Sequence, residues 1–233
     1  MTAESLGVGL AYYVVFLFSI TLHEAGHAWA AMLGGDLTAY HGGQVSLDPR
    51  PHIKREPFGM VVLPLLSSLF LQWPFGYASA PFDPHWALNN TRRAGWMALA
   101  GPAANLAIVI VSGILIRLGM LAGVFSPPEQ IGFSHVVAST EAMHGAAFML
   151  STFFSLNVLL FCFNLIPVPP LDGSTAVLLG VSPAAGRAWL RILWTNPMQS
   201  WVGILVAWRI FPLSYDPAVL LMLQLLYPEM RYG

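Results

Sequence analysis

Long runs of apolar residues, separated by short polar stretches, dominate the chain. The longest cover residues 10–33, 94–121, 143–163 and 197–211, and a shorter run follows at 218–227. A helix needs about 20 predominantly apolar residues to cross the hydrocarbon core of a bilayer. Because only helices or closed barrels satisfy their backbone groups in lipid, the pattern predicts an all-α polytopic membrane protein, a helix bundle of about four to six membrane segments.

Two shorter apolar segments do not fit this pattern cleanly. Residues 58–73 are marginal in length and carry Pro64 in their middle, so they either span or form a re-entrant or surface-lying segment. Residues 218–227 are too few to cross unless the bilayer thins, and we expect a half-helix or an interfacial segment there.

Composition agrees with a membrane environment. Hydrophobic residues make up 56% of the chain and charged residues 9%, and the mean hydropathy is +0.65. The formal net charge is −1 and Lys54 is the only lysine, so no polybasic tract is available and we expect no nucleic-acid partner. The expected surroundings are a lipid bilayer.

One polar motif, His23-Glu24-Ala25-Gly26-His27, interrupts the first apolar run. Histidines four residues apart lie on the same face of a helix, so both imidazoles can reach one metal ion. A carboxylate beside them can take a proton from a metal-bound water and later donate it to a leaving amine. Ionisable groups at this depth are costly unless paired or metal-bound, which argues against a coincidental arrangement. The motif predicts a hydrolytic zinc site.

Asp172 is a candidate third ligand, although an Asp-Gly pair after a proline-rich stretch is also typical of a simple turn. It follows the 143–163 run, whereas the histidines end the 10–33 run. The two groups can meet only if an even number of crossings separates them. The 94–121 and 143–163 runs supply two, so the 58–73 segment must dip in and return rather than span.

The distribution of basic residues favours the same topology. If residues 58–73 return to their starting side, that side receives Arg50, Lys54, Arg55, Arg92, Arg93, Arg187 and Arg191. Residues 1–9 and 122–142, on the opposite side, contain no Lys or Arg. Since cytoplasmic loops are enriched in these residues, we expect a multi-pass protein of the plasma membrane whose site opens to the cytoplasm.

Three motifs in this order resemble those of the site-2 proteases, which are zinc intramembrane metalloproteases. The chain carries HEAGH in a membrane helix, AGPAANL at residues 100–106, and NLIPVPPLDG at residues 164–173. The resemblance extends over about residues 10–180 and is greatest to the compact prokaryotic branch without PDZ or CBS domains. Asp48 stands where that branch often has Asn, which leaves the catalytic assignment untouched. We therefore expect a single protease domain over 1–233, with a catalytic core at about 10–180 and C-terminal helices at about 185–230.

The resemblance implies a role for each chemical group. His23, His27 and Asp172 would bind one Zn²⁺ per chain, with water in the fourth position, and Glu24 would act as general base and acid. The same family pattern suggests that Asn164 binds the substrate backbone or the oxyanion, the alternative being an interhelical hydrogen bond.

Two further polar residues are weaker candidates for substrate or oxyanion binding. Asn105 lies among small residues that favour close helix contact, and a packing role is the preferred interpretation. His52 lies in the 37–57 segment, the predicted water entrance, where it would touch substrate or a water, unless it is simply an exposed loop histidine.

Taken together, the sequence predicts a zinc-dependent endopeptidase that cuts a transmembrane segment of another protein near the cytoplasmic leaflet. Segment 58–73 and the loop before it are candidates for pairing with the unwound substrate. A non-catalytic zinc-binding membrane protein, such as a sensor or an assembly factor, would need the ligands but not Glu24. A transporter would need a second polar cluster near the opposite face, where residues 122–142 offer only Glu129, His135 and Glu141. The substrate and the oligomeric state are not specified by the sequence.

Overall fold

The computed structural model describes residues 2–195 and 198–230. Four of its helices are long and apolar enough to cross a membrane: α1 (Ala3–Leu33), α6 (Thr91–Leu121), α7 (His144–Asn164) and α10 (Met198–Leu226). The prediction of an all-α polytopic bundle is therefore confirmed.

Shorter elements connect these helices. On the chain between α1 and α6 lie α2 (Thr38–His41), α3 (Pro49–Arg55), a π-helical turn (Phe58–Val62) that continues into α4 (Leu63–Phe70), and α5 (Pro84–Asn89). Two short antiparallel strands, β1 (Phe125–Ser126) and β2 (Ala138–Ser139), and a 3₁₀ turn (Glu141–Met143) link α6 to α7. Beyond α7 come α8 (Asp172–Ala176), a 3₁₀ turn (Val177–Leu179) and α9 (Pro183–Thr195).

Small residues bring α1 and α6 into close contact. A β-carbon placed on Gly26 would lie 2.8 Å from the carbonyl oxygen of Ala100, so the two backbones nearly touch there. In a membrane, helices associate by close packing and interhelical hydrogen bonds rather than by hydrophobic burial, and glycine permits the shortest approach. This contact lies one residue before His27 and fixes α6 beside the HEAGH motif.

The segment predicted to be re-entrant, residues 58–73, forms a descending arm, and residues 74–83 form a returning arm. The helical part runs antiparallel to the first half of α1, with Met60 in the same buried cluster as Phe16, and Gln72 donates from Nε2 to the carbonyl of Ser5 at 3.1 Å. The chain then returns without regular structure, until the Ser79 hydroxyl donates to Glu56 at 2.7 Å. Both ends of the segment therefore lie at the same level, and only α6 and α7 cross between HEAGH and Asp172.

Pro64 lies where the π-helical turn continues directly into α4, with helical backbone on both sides. The wider π-helical turn at Phe58–Val62 precedes it directly. The proline thus separates two helical segments of one descending arm.

The expectation of a separate half-helix at 218–227 is wrong. Helix α10 is continuous from Met198 to Leu226 and contains both Pro212 and Pro217. Its far half packs against α7 through Leu223 and Leu226, and this contact holds the helix together across the two prolines. The predicted start of the run at 197 lies outside the described residues.

Helix α10 ends on the opposite side from Asp172. The Tyr227 hydroxyl donates to the carbonyl of Val136, in the connection between α6 and α7, at 2.8 Å. The other end lies near the segment before Asp172, because a β-carbon on Gly203 would overlap the carbonyl oxygen of Pro169. The helix therefore crosses the full height of the bundle.

Candidate zinc site

His23, His27 and Asp172 converge in the structure. The two Nε2 atoms of the histidines are 3.0 Å apart. The Asp172 carboxylate places Oδ2 at 3.1 Å from Nε2 of His23 and Oδ1 at 3.3 Å from Nε2 of His27. Within the described residues, these three form the only group of His, Cys, Asp or Glu side chains arranged to hold a metal ion.

Local structure explains how each element reaches this point. The histidines are four residues apart on α1 and are 5% and 7% exposed, on the face that α6 covers. Asp172 begins α8, and Gly173 behind it allows the chain to pass against the carbonyl oxygen of Leu165, which a β-carbon would overlap. The Asp-Gly pair therefore does form a tight turn, and that turn places Asp172 beside the histidines.

The donor set fits a cation. Nδ1 of His27 lies 2.7 Å from the carbonyl oxygen of Met97, which can only accept, so Nδ1 carries the proton and Nε2 presents a lone pair. The Asp172 carboxylate adds two oxygen atoms beside the same nitrogens, with Oδ2 facing Nε2 of His23 and Oδ1 facing Nε2 of His27. Lone pairs facing one another at 3.0–3.3 Å repel unless a positive charge lies between them.

The distances also suit zinc. Ligands bonded at about 2.0–2.1 Å in a tetrahedron are separated by about 3.3 Å from one another. The two Nε2 atoms are within a few tenths of an ångström of that separation, and each lies at a similar distance from one oxygen of the Asp172 carboxylate, His23 from Oδ2 and His27 from Oδ1. Three protein ligands would leave one position open in a tetrahedral site, the arrangement expected of a catalytic rather than a structural zinc ion.

Gly101 forms the floor of the site. A β-carbon at this position would overlap the Nε2 atoms of both His23 and His27. Helix α6 can therefore lie directly against the imidazoles only because residue 101 has no side chain. The sequence indicated a small-residue contact face on α6, and the structure shows that part of this face belongs to the site.

A cavity of about 220 Å³ opens beside the three groups. Its lining includes Glu24, whose side chain is buried and whose Oε2 makes no hydrogen bond within the described residues. The lining also includes Ser79, Ala80 and Phe82 from the returning arm. A carboxylate without a partner thus faces the same cavity as the candidate ligands.

The three weaker candidates lie in different places. Asn164 lines the cavity, and its Nδ2 donates to the carbonyl of Leu160 on the same helix at 3.0 Å. Asn105 is absent from the cavity lining and instead lies behind His23, with Oδ1 2.6 Å from Nδ1 of that residue.

His52 does not lie in an open entrance, contrary to expectation. It is only 1% exposed, it is held in α3 with Nε2 3.0 Å from the carbonyl of Ser46, and it does not line the cavity. The reason is that residues 49–55 fold into a helix, which turns this side chain inward.

Sequence reasoning missed Asn157 on α7, which is fully buried and hydrogen-bonded to Asn105. A polar amide within an apolar membrane run was the available signal, since such residues are commonly functional or bonded to a neighbouring helix. It also missed the returning arm as a cavity wall, because residues 74–83 have no regular structure and no periodic pattern to detect.

Comparisons with known proteins identify the family of the chain. Residues 11–189 match the model of Peptidase family M50. The chain is 32% identical over 166 residues to YwhC of Bacillus subtilis, named as a candidate zinc metalloprotease, covering 70% of this chain and 66% of that protein. It is 28% identical over 201 residues to Rip2 of Mycolicibacterium smegmatis, named likewise, covering 86% and 66%. It is 29% identical over 219 residues to Rip2 of Mycobacterium tuberculosis H37Rv, covering 89% and 75%.

The chain thus spans slightly under two thirds of the length of the first two of these relatives. No solved structure matches the chain. The matched region of the family model contains HEAGH, Asp172 and most of α9, and it ends before α10.

Proposed function

We propose, because the chain belongs to Peptidase family M50, that it is a zinc-dependent endopeptidase that cleaves a peptide bond in or near a transmembrane segment of another membrane protein. The observation that carries the proposal is the convergence of three lone-pair donors with an unpartnered Glu24 in one buried cavity. Three of the helices long and apolar enough to cross a membrane, α1, α6 and α7, contribute residues to the lining of that cavity. The proposed substrate is therefore a membrane-embedded chain.

The residues divide the chemistry among them. His23, His27 and Asp172 would hold one zinc ion, which when bound would acidify a water molecule and polarise the scissile carbonyl. Glu24 would accept the proton from the attacking water and donate it to the departing amine. Asn164, which lines the cavity, would hydrogen-bond the substrate backbone or the developing oxyanion.

A substrate helix must be unwound before it can be cut, because its carbonyls are bonded internally. The descending arm cannot pair with an unwound strand, as the sequence suggested, because Phe58–Phe70 is helical and its backbone groups are occupied. The returning arm is a better partner. Within the described residues, the backbones of Ala78 and Ala80 make no hydrogen bond, and Ser79 and Ala80 line the cavity. We propose that substrate adds to this arm as a strand.

The decisive experiment compares the parent with Glu24→Gln in proteoliposomes containing a panel of fluorogenic transmembrane peptides. We expect the parent to cleave at least one peptide and to lose activity with a zinc chelator. Glu24→Gln should keep its zinc and lose about 100-fold or more in rate, the usual cost of removing a general base. A Glu24→Gln variant as active as the parent would refute the assignment, and a zinc-loaded parent that cleaves nothing would favour the non-catalytic alternative.

We further propose that the protein lies in the plasma membrane with its site open to the cytoplasm. Support comes from the re-entrant arm, which returns Ser79 to the side of Glu56 and so leaves the basic residues of both flanking loops on one side. A topology reporter fused after residue 80 should read out as cytoplasmic. An extracytoplasmic signal there would reverse the proposed orientation.

A further inference from the structure

A chain of buried polar side chains runs from His23 through three helices. Nδ1 of His23 lies 2.6 Å from Oδ1 of Asn105 on α6. Nδ2 of Asn105 donates to Oδ1 of Asn157 on α7 at 2.8 Å. Nδ2 of Asn157 donates to the hydroxyl of Ser19 on α1 at 2.9 Å and to the carbonyl of Phe153 at 2.8 Å. Ser19, Asn105 and Asn157 are all completely buried.

The direction of each hydrogen bond in this side-chain network follows from the Phe153 carbonyl, which can only accept a hydrogen bond. The Asn157 amide must therefore turn its NH₂ group towards Phe153 and its oxygen towards Asn105. Asn105 must in turn direct its NH₂ group at that oxygen and its own oxygen at His23. Nδ1 of His23 then carries the proton, and its Nε2 presents a lone pair towards Asp172 and His27.

The two histidines differ in how they are oriented. Nδ1 of His27 faces the backbone carbonyl of Met97, which has no donor to offer in any orientation. Nδ1 of His23 faces a side-chain amide, which could rotate and present NH₂ instead of oxygen. Only His23 therefore depends on a further residue to keep its tautomer.

We propose that Asn157 is a positioning residue, which fixes the orientation of the Asn105 amide and thereby the metal-binding tautomer of His23. The inference rests on the proposed zinc site and extends it by two helices. Side chains behind a ligating histidine typically change metal affinity about 10- to 100-fold when removed. Asn157 acts through one intermediate, so we expect about tenfold for its loss.

The test measures zinc affinity by competition with a chromophoric chelator, on full-length protein purified in detergent, and needs no peptidase assay. Asn157→Leu should weaken zinc binding about tenfold. Asn105→Asp keeps an acceptor for Nδ1 of His23 but sets a carboxylate oxygen against Oδ1 of Asn157, so we expect zinc affinity to fall by less than about tenfold. In the Asn105→Asp background, Asn157→Leu should then cost less than about threefold, because no amide remains to be oriented.

Two variants serve as controls. Thr152→Val removes a buried hydroxyl from the same helix, which among the described residues bonds only the carbonyl of Phe148, and should leave zinc affinity unchanged. Ser19→Ala removes one acceptor of Asn157 but leaves the Phe153 carbonyl, so affinity should fall less than about twofold. If Asn157→Leu does not fold, Asn157→Ala removes the same amide without adding a branched side chain.

The outcomes separate the two hypotheses. A parent that binds no zinc refutes the proposed function together with this inference. A parent that binds zinc while Asn157→Leu and Asn157→Ala bind it equally well overturns the positioning role alone. The positioning role is also overturned if the Asn157 variants lose affinity equally in the parent and Asn105→Asp backgrounds, since that is the behaviour of a residue that merely holds helices together.

Discussion

The helices that carry the site differ from the C-terminal helix α10 in how much of their surface is buried inside the protein. In the most apolar stretches of α1, of α6 and of the span Glu141–Asn164 that contains α7, 39%, 39% and 50% of residues are buried inside the protein. In α10 the corresponding share is 6%. The first three bury polar side chains such as Asn105 and Asn157 among small residues. Helix α10 exposes large apolar side chains, with Leu205 and Leu213 at 73% and 80%.

This difference shows which helices can carry polar functional groups in a bilayer. Lipid cannot satisfy an amide or an imidazole, so such groups must be enclosed by other helices and bonded to one another. Helix α10 is enclosed on one face only, and it influences the site through its contacts with the 166–171 segment. There Ala207 packs against Ile166 and Leu171, next to Asp172.

The largest effect on the enclosed region is expected from adding a side chain at the floor of the site. Gly101→Ala places a methyl group where the Nε2 atoms of His23 and His27 lie. We expect zinc affinity to fall about 100-fold or more, because both ligands must move. Chelator competition on the purified variant measures this.

Gly113 on the same helix provides the matched control. A β-carbon there would meet its neighbours at 3.8 Å and 3.9 Å, which is ordinary contact. Gly113→Ala should leave zinc affinity unchanged and slightly stabilise the helix. Equal losses of zinc affinity in the two variants would show that α6 does not tolerate an added methyl group at either position. That result would contradict a special role for position 101.

A smaller effect is expected where α10 meets the site. Gly203→Ala would push against the Pro169 carbonyl and shift the chain leading to Asp172. Overpacking of this kind costs about 1–3 kcal/mol, so we expect a lower unfolding temperature and a loss of zinc affinity of less than about tenfold. Thermal unfolding with and without zinc measures both.

The smallest effect should come from the exposed face of α10. Leu205 is 73% exposed, so Leu205→Ala removes few contacts within the protein, and zinc affinity should stay within about twofold of the parent. A loss as large as that of Gly203→Ala would mean that α10 supports the site along its whole surface, which contradicts the contrast between the two regions.

Much of the site could be predicted because its chemistry is encoded locally. The four-residue spacing fixes His23 and His27 on one helical face, and the even number of crossings brings Asp172 to them. What the sequence could not provide was the packing between distant segments. Whether Asn105 faces the cavity or the back of His23, and whether His52 points outward, depends on how α3, α6 and α7 lie against α1. The continuity of α10 was missed because tertiary contacts overrode two prolines.

The most direct test of the proposed metal site is the zinc content of the purified parent beside that of Asp172→Ala, after both are exposed to the same zinc concentration and dialysed. We predict about one zinc ion per chain in the parent and a clear loss in the variant, because removing a carboxylate leaves only two protein ligands. Equal zinc in both proteins would show that Asp172 is not a ligand. The absence of zinc from both would contradict the metal site altogether.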